Sequence, residues 1–393
     1  MSIRRLLVSL SGGGYRAALF NAGVLRTLNE KRYLDHIHDD GPQNVVVNAV
    51  SGGSIPAALW SRFLRSSEYE SNPAELHPER ELIRLVTSSP SLFGRFNWHA
   101  KGFVIGAQKS WYKHLLRWWD SIPWTAHNYK HFLDKNGDIS AAFLVPGTSQ
   151  YFPAFLTETL DFNTGEIFLF FENEYFRPNL VFFKNGDRGY KRDKYPHPHG
   201  IVSATAFPVF FPSVKLGGWT LMDAGLIDNQ GILGFLPLLS FKSNILLGED
   251  DVWYLSDAGR SMAIAGGYQD EYGAGNKPVR RLTLADRVFR LTGDLSQPIV
   301  VQAITNLISN GLKTSVVGVK MDVTSHDKGL WVEGERIRSP QQSAQVETSL
   351  SSMAHSDAAA IIAHGAQCAT LAFGLEQSKK DDLVRRLSSL ATE

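Results

Sequence analysis

The chain of 393 residues contains one cysteine, Cys368, so no intrachain disulfide can form, and the sequence is compatible with a reducing compartment. No stretch approaches the roughly 18–20 consecutive apolar residues of a membrane span. Neither sign of charge dominates. Lys and Arg total 40 against 39 Asp and Glu, a net charge of +1, which gives no global attraction to nucleic acid or to anionic membranes. Internal repeats and low-complexity tracts are absent. Met1–Arg5 leads straight into an apolar run, which leaves no room for a signal peptide, and the expectation is a soluble cytoplasmic protein. Cys/His/carboxylate spacings of a metal site are lacking too: His197 and His199 have no suitable partners, and no metal or cofactor is expected.

What is present is glycine in two places. Leu6-Leu7-Val8-Ser9-Leu10 reads as a short buried strand that stops at Ser11-Gly12-Gly13-Gly14-Tyr15-Arg16. Three residues without a Cβ let backbone N–H groups approach a ligand closely, and a helix starting near Tyr15 adds its positive end, so this turn suits an anion or a developing oxyanion. A Walker-type phosphate loop would need Gly-Lys-Ser/Thr, and a dinucleotide fingerprint would need G-x-G-x-x-G; Gly14-Tyr15-Arg16 and Ala17 supply neither. The second place repeats the logic. Asn44–Val50 is β-branched, Ser51 follows with Gly52 and Gly53, and Ile55-Pro56-Ala57-Ala58-Leu59-Trp60 opens a helix. A serine between strand and helix projects its Oγ above the carboxyl ends of the strands, where open α/β sheets carry their sites.

These residues resemble the patatin-like phospholipase family. Ser11–Arg16 is similar to its glycine-rich turn, and Ala49-Val50-Ser51-Gly52-Gly53 to its serine elbow. Met222-Asp223-Ala224-Gly225 matches its aspartate motif, with Ala204–Pro212 similar to the stretch before it. Leu156–Glu166 looks like the family's middle strand and turn, and the likeness covers roughly residues 4–260. Ala49 and Ala224 stand where the family has glycine, which is tolerable unless the backbone needs positive φ there. The resemblance implies a three-layer α/β fold, a central mostly parallel sheet flanked by helices. It also implies a Ser51 nucleophile with Asp223 as direct general base. Gly12, Gly13 and Gly14 would form the oxyanion hole, supported by Arg16 and Gly53. The implied substrate is a phospholipid or other acyl-ester lipid, and no metal or cofactor enters that chemistry.

A Ser-His-Asp esterase or thioesterase is the competing enzyme reading. The order Ser51, then Asp223 or Asp257, then His326, His355 or His364 fits it, but only one strand precedes the serine. A patatin-like binding protein without turnover is the reading from another class.

One unit over residues 1–393 is expected: a core of 1–260 with an aromatic-rich cap insertion at about 85–135, then a helical part over 261–393. Within the cap, Trp111, Tyr112, Leu115, Leu116, Trp118 and Trp119 recur at helical spacing, with Lys109, Lys113, His114 and Arg117 largely opposite. Residues 95–124 therefore read either as a lid making transient contact at the inner membrane face or as a cap helix packing its aromatics on the core. Phe168–Phe171 and Val181-Phe182-Phe183 read as strands joined by a loop, and Gln345–Phe373 as helical. The pattern carries no sign of nucleic-acid binding and leaves the oligomeric state open.

Overall fold

A computed structural model of the chain describes residues 5–34, 42, 44–64, 66–71, 76–89, 101–123, 153–171, 174–177, 181–183, 198–208, 211–216, 218–235, 251–258, 315–320, 331–332, 335–336, 352–373 and 387. Five parallel strands form the centre of the sheet, in the order β10 (Ser315–Lys320), β9 (Asp251–Asp257), β1 (Arg5–Leu10), β2 (Asn44–Val50) and β3 (Ala154–Asp161). Antiparallel strands β4 (Ile167–Phe171), β5 (Glu174–Arg177) and β6 (Val181–Phe183) extend it beyond β3. β1 is buried at all six positions, as a strand covered on both faces must be, which explains its unbroken apolar run.

β3 is the ruler of the site. One edge pairs with β2 as far as Val50 opposite Glu158, and the next residue, Thr159, pairs with Asp223 of antiparallel β8 (Trp219–Asp223). β8 is flanked by β7 (Val214–Leu216). The residues just before Ser51 and at Asp223 thus meet consecutive positions of a single strand.

Helices α1 (Gly14–Glu30) and α7 (His355–Phe373) pack closely against each other. A Cβ on Gly23 would overlap the Ile362 carbonyl oxygen and one on Gly365 that of Phe20, so each helix offers a glycine where the other's backbone passes. After Ser51 come α2 (Ser54–Leu64), which packs on β2 and β3, α3 (Ser67–Ser71), α4 (Pro78–Ser88), which packs on α1, α2 and α7, and α5 (Lys101–Ser121), while α6 (Pro198–Ala204) lies against β3 and β8. On α5, Trp111, Leu115, Trp118 and Trp119 are buried in the core cluster. The Trp111 indole donates to Tyr15 Oη at 2.9 Å, and Tyr15 in turn bonds the Ser89 hydroxyl. Arg62 caps the end of α5 by donating to the carbonyls of Trp119 (2.7 Å) and Ile122 (3.1 Å), where a cation also meets the negative end of the helix. These aromatics pack on the core and leave Lys113, Leu116 and Arg117 exposed.

Two expectations change. The part after residue 260 is not helical throughout: Ser315–Lys320 joins the central sheet parallel to β9, and Trp331–Val332 (β11) pairs with Glu335–Arg336 (β12). The β-branched run Ser315-Val316-Val317-Gly318-Val319 is the local reason. The expected loop between the Phe-rich strands contains β5, so the segment is a meander. Residues 91–100, Trp124, His197 and His326 lie outside the described residues, as does much of the part after residue 260, and of His199 only the backbone is described. Among the described residues no helix is long and apolar enough to cross a membrane, and no group of three or more His, Cys, Asp or Glu could hold a metal ion.

Candidate functional site

Ser51 follows β2 directly, at the head of a single 3₁₀ turn over Ser51–Gly53 that runs into α2. Its φ is +51°, a left-handed conformation that side-chain-bearing residues adopt rarely and that stores strain where it is held. The surroundings hold it. A Cβ on Gly52 would overlap the Gly14 carbonyl, and one on Gly53 would stand 2.6 Å from the Ser11 carbonyl oxygen, so the elbow and the glycine turn interlock backbone to backbone. Ser54 Oγ donates to the Ser51 carbonyl at 2.5 Å. Ala49 lies in β2, and Ala224 is not among the positive-φ residues, so alanine is accommodated at both places.

Ser51 Oγ donates to Asp223 Oδ2 at 2.5 Å, and Asp223 Oδ1 accepts from the Gly225 amide at 2.8 Å. Asp223 is fully buried. Desolvation pushes its carboxyl up to about 7, against the pull of the Ser51 and Gly225 hydrogen bonds, which favour the charged form. A carboxylate with that affinity can take a proton from a serine and return it near neutral pH.

The glycine turn is fixed from several sides. The Ser11 amide donates to the Ser256 carbonyl (3.0 Å), Ser11 Oγ accepts from the Ala258 amide (2.7 Å), and Asn21 Nδ2 donates to the Ser11 carbonyl (3.0 Å) while its Oδ1 accepts from Ser256 Oγ (2.6 Å). The Gly12 amide donates to the Asn229 carbonyl at 2.8 Å. That bond corrects one expectation: Gly12 serves the turn's structure, and its N–H is not open to an oxyanion. A Cβ there would stand 2.8 Å from Ser51 Cβ and 2.7 Å from Asn229 Oδ1, so Gly12 must still be glycine. Among the described residues the amides of Gly13 (φ +130°) and Gly14 (φ +60°), at the start of α1, bond no backbone carbonyl. Arg16 sits in the first turn of α1 and is 3% exposed, so it is not a solvated helix-start arginine.

The described histidines stand apart from this cluster. His364 is buried in α7, edge-on to Phe20 at 5.6 Å between ring centroids, and His355 begins the same helix. Asp257, the spare acid, ends β9 and accepts from Gln230 Nε2 at 3.2 Å.

Four residues without an expected role shape the site: Asn21, Glu158, Asp228 and Asn229. Asn21 could have been suspected as an amide inside an apolar helix face, and Glu158 as a charge within the apolar strand Phe155–Leu160. Asp228 and Asn229 act from a loop, where spacing carries no signal.

A family profile described as patatin-like phospholipase matches residues 8–236. Among solved structures the chain is similar to human GIVD cytosolic phospholipase A2, solved with methyl gamma-linolenyl fluorophosphonate and terbium chloride: 12% identity, 99% of this chain and 59% of that one, TM-score 0.43. It is also similar to VipD from Legionella pneumophila, with 11% identity over 65% of this chain and 50% of that one, TM-score 0.28. The chain thus spans between half and three-fifths of the length of these structures. No curated protein sequence matches it.

Proposed function

Because this chain belongs to the patatin-like phospholipase family, we propose that it is a lipid acyl hydrolase of phospholipase A or lysophospholipase type, cleaving carboxylic esters through a Ser51 acyl-enzyme. The observation that carries the proposal is the 2.5 Å hydrogen bond from Ser51 Oγ to the buried Asp223 carboxylate, with no histidine between them. Asp223 takes the Ser51 proton as Oγ attacks the ester carbonyl carbon. The carbonyl oxygen becomes an oxyanion that the amides of Gly13 and Gly14 receive at the positive end of α1. As the tetrahedral intermediate collapses, Asp223 protonates the departing alcohol, the lyso-lipid or headgroup-bearing fragment, and the acyl group stays on Ser51. Water then enters, Asp223 accepts its proton, and attack on the acyl-enzyme releases the fatty acid and returns the proton to Ser51. No step calls for a metal or cofactor.

Contact with the lipid surface falls, in this reading, to the exposed stripe Lys113, Leu116 and Arg117 of α5 rather than to its buried tryptophans. Incubation of the protein with mixed phospholipid and lysophospholipid vesicles, followed by mass spectrometry of the products, tests the proposal. Free fatty acid released by wild type and absent with Ser51→Ala is the expected result; equal release by both proteins would refute it.

A further inference from the structure

Next to the dyad lies a pair of carboxyl groups that this chemistry does not use. Glu158 of β3 and Asp228 of the loop after Asp223 are both fully buried and in hydrogen-bond contact with each other. Glu158 Oε2 accepts from Asn48 Nδ2 of β2 at 2.7 Å and the Gly234 backbone N–H also acts on this carboxyl, whereas among the described residues Glu158 Oε1 is buried with no donor of its own. Asp228 accepts backbone amides, Oδ1 from Gln230 at 3.1 Å and Oδ2 from Leu233. Among the described residues no cation acts on Glu158; the charge facing it is that of Asp228, and the other described groups around the two carboxyls are the Asn48 carboxamide and the backbone of residues 230–234. Two carboxylates in contact without a cation cannot both be ionised, and a buried acceptor without a donor is costly. A single proton between the two oxygens removes both difficulties. Burial and the Asp228 charge hold Glu158 well above the ordinary carboxylate range, in the same direction.

We propose that Glu158 and Asp228 share one proton and, as positioning residues, latch the loop 224–235 to β2 and β3, so that the glycine turn and Asp223 stay in register with Ser51. The loop is where the bonds to the site originate. The Asn229 carbonyl holds the Gly12 amide at 2.8 Å, and the Gly231 carbonyl accepts from Ser9 Oγ and Asn48 Nδ2, both at 2.9 Å. A Cβ on Gly234 would stand 2.5 Å from Asn48 Nδ2 and 2.7 Å from Glu158 Oε2, so loop and carboxyl pair are in direct contact. Loss of the shared proton places a second negative charge in the buried pair and opens the latch. The folded chain holds this proton at pH values where the unfolded chain has released it, so latch stability falls as pH rises above the ordinary carboxylate range.

The inference rests on the Ser51 reading only for its effect on the site; the latch itself is tested without catalysis. Urea midpoints of wild type, Glu158→Gln and Asp228→Asn are measured from about pH 5 to about pH 9. An amide donates a permanent N–H to the remaining carboxylate, so the wild-type midpoint is expected to fall relative to both variants as pH rises. Parallel curves overturn the proposal. At the alkaline end the rate of fluorophosphonate labelling is expected to fall in wild type and to be at least about threefold better retained in Glu158→Gln, with Glu158→Ala slowest at every pH if it folds. Labelling rates of wild type and Glu158→Gln that change equally with pH also overturn it. Ser51→Ala, run beside them, separates this failure from that of the nucleophile assignment: label persisting there refutes the assignment and leaves the urea result standing.

Discussion

Ser51 is held at φ +51° by the close backbone packing of Gly52 and Gly53 on the glycine turn, with its Oγ on a carboxylate that burial has pushed up to about 7. If Asp223 is the base, kcat/KM falls about tenfold per unit as pH drops below about 7, because the protonated carboxyl can no longer accept the serine proton; a pH-rate profile on a soluble ester checks this. Stability runs in the opposite sense. The folded chain keeps a proton on Asp223 that the unfolded chain has released, so stability from this group is fully present at low pH and declines as pH rises from about 4 to about 7. Asp223→Asn is therefore expected to lose turnover by at least about 10³-fold while gaining about 1–3 kcal/mol above neutrality, read from urea titrations at pH 8. A variant equally stable at pH 6 and pH 8 relative to wild type contradicts the desolvation argument.

The helices carry two further consequences. Gly23 and Gly365 face each other's partner backbone, so Gly23→Ala or Gly365→Ala forces α1 and α7 apart and is expected to cost about 2 kcal/mol or more, measured by thermal melts followed by circular dichroism. Since α1 begins at the glycine turn, the same variants are expected to slow labelling of Ser51 as well. On α5, Trp111→Ala removes a fully buried side chain and the donor to Tyr15, with an expected loss of about 3–5 kcal/mol. Vesicle binding responds elsewhere: Lys113→Glu with Arg117→Glu is expected to weaken co-sedimentation with anionic vesicles several-fold at low salt and to leave the melting temperature within about 1 °C, since both side chains are exposed. Unchanged co-sedimentation would remove the lipid-contact role from this stripe.

Over the chain as a whole, the parts that the sequence made legible are those where a local pattern and a local geometry coincide. The run Leu6–Leu10 is a strand buried on both faces, three glycines end it, and Ser51 sits where β2 meets α2; each of these is a short-range fact. The placement of Asp223 was read from its motif, and the physical reason it meets Ser51 is the register of β3, which pairs Glu158 with Val50 and Thr159 with Asp223. Register between strands far apart in the chain leaves no trace in spacing. The same limit hid the Asn229 carbonyl that ties up Gly12, the Glu158–Asp228 contact, and the strand Ser315–Lys320 inside a region read as helical. For α5 the pattern gave amphipathicity but not the direction in which the apolar face points, which depends on Tyr15, Ser89 and Arg62 from other elements. The most direct test of the account is to treat the full chain with a fluorophosphonate probe and map the adduct by peptide mass spectrometry. An adduct on Ser51, formed by wild type and abolished in Ser51→Ala, is the predicted result; an adduct on another residue, or labelling undiminished in Ser51→Ala, contradicts it.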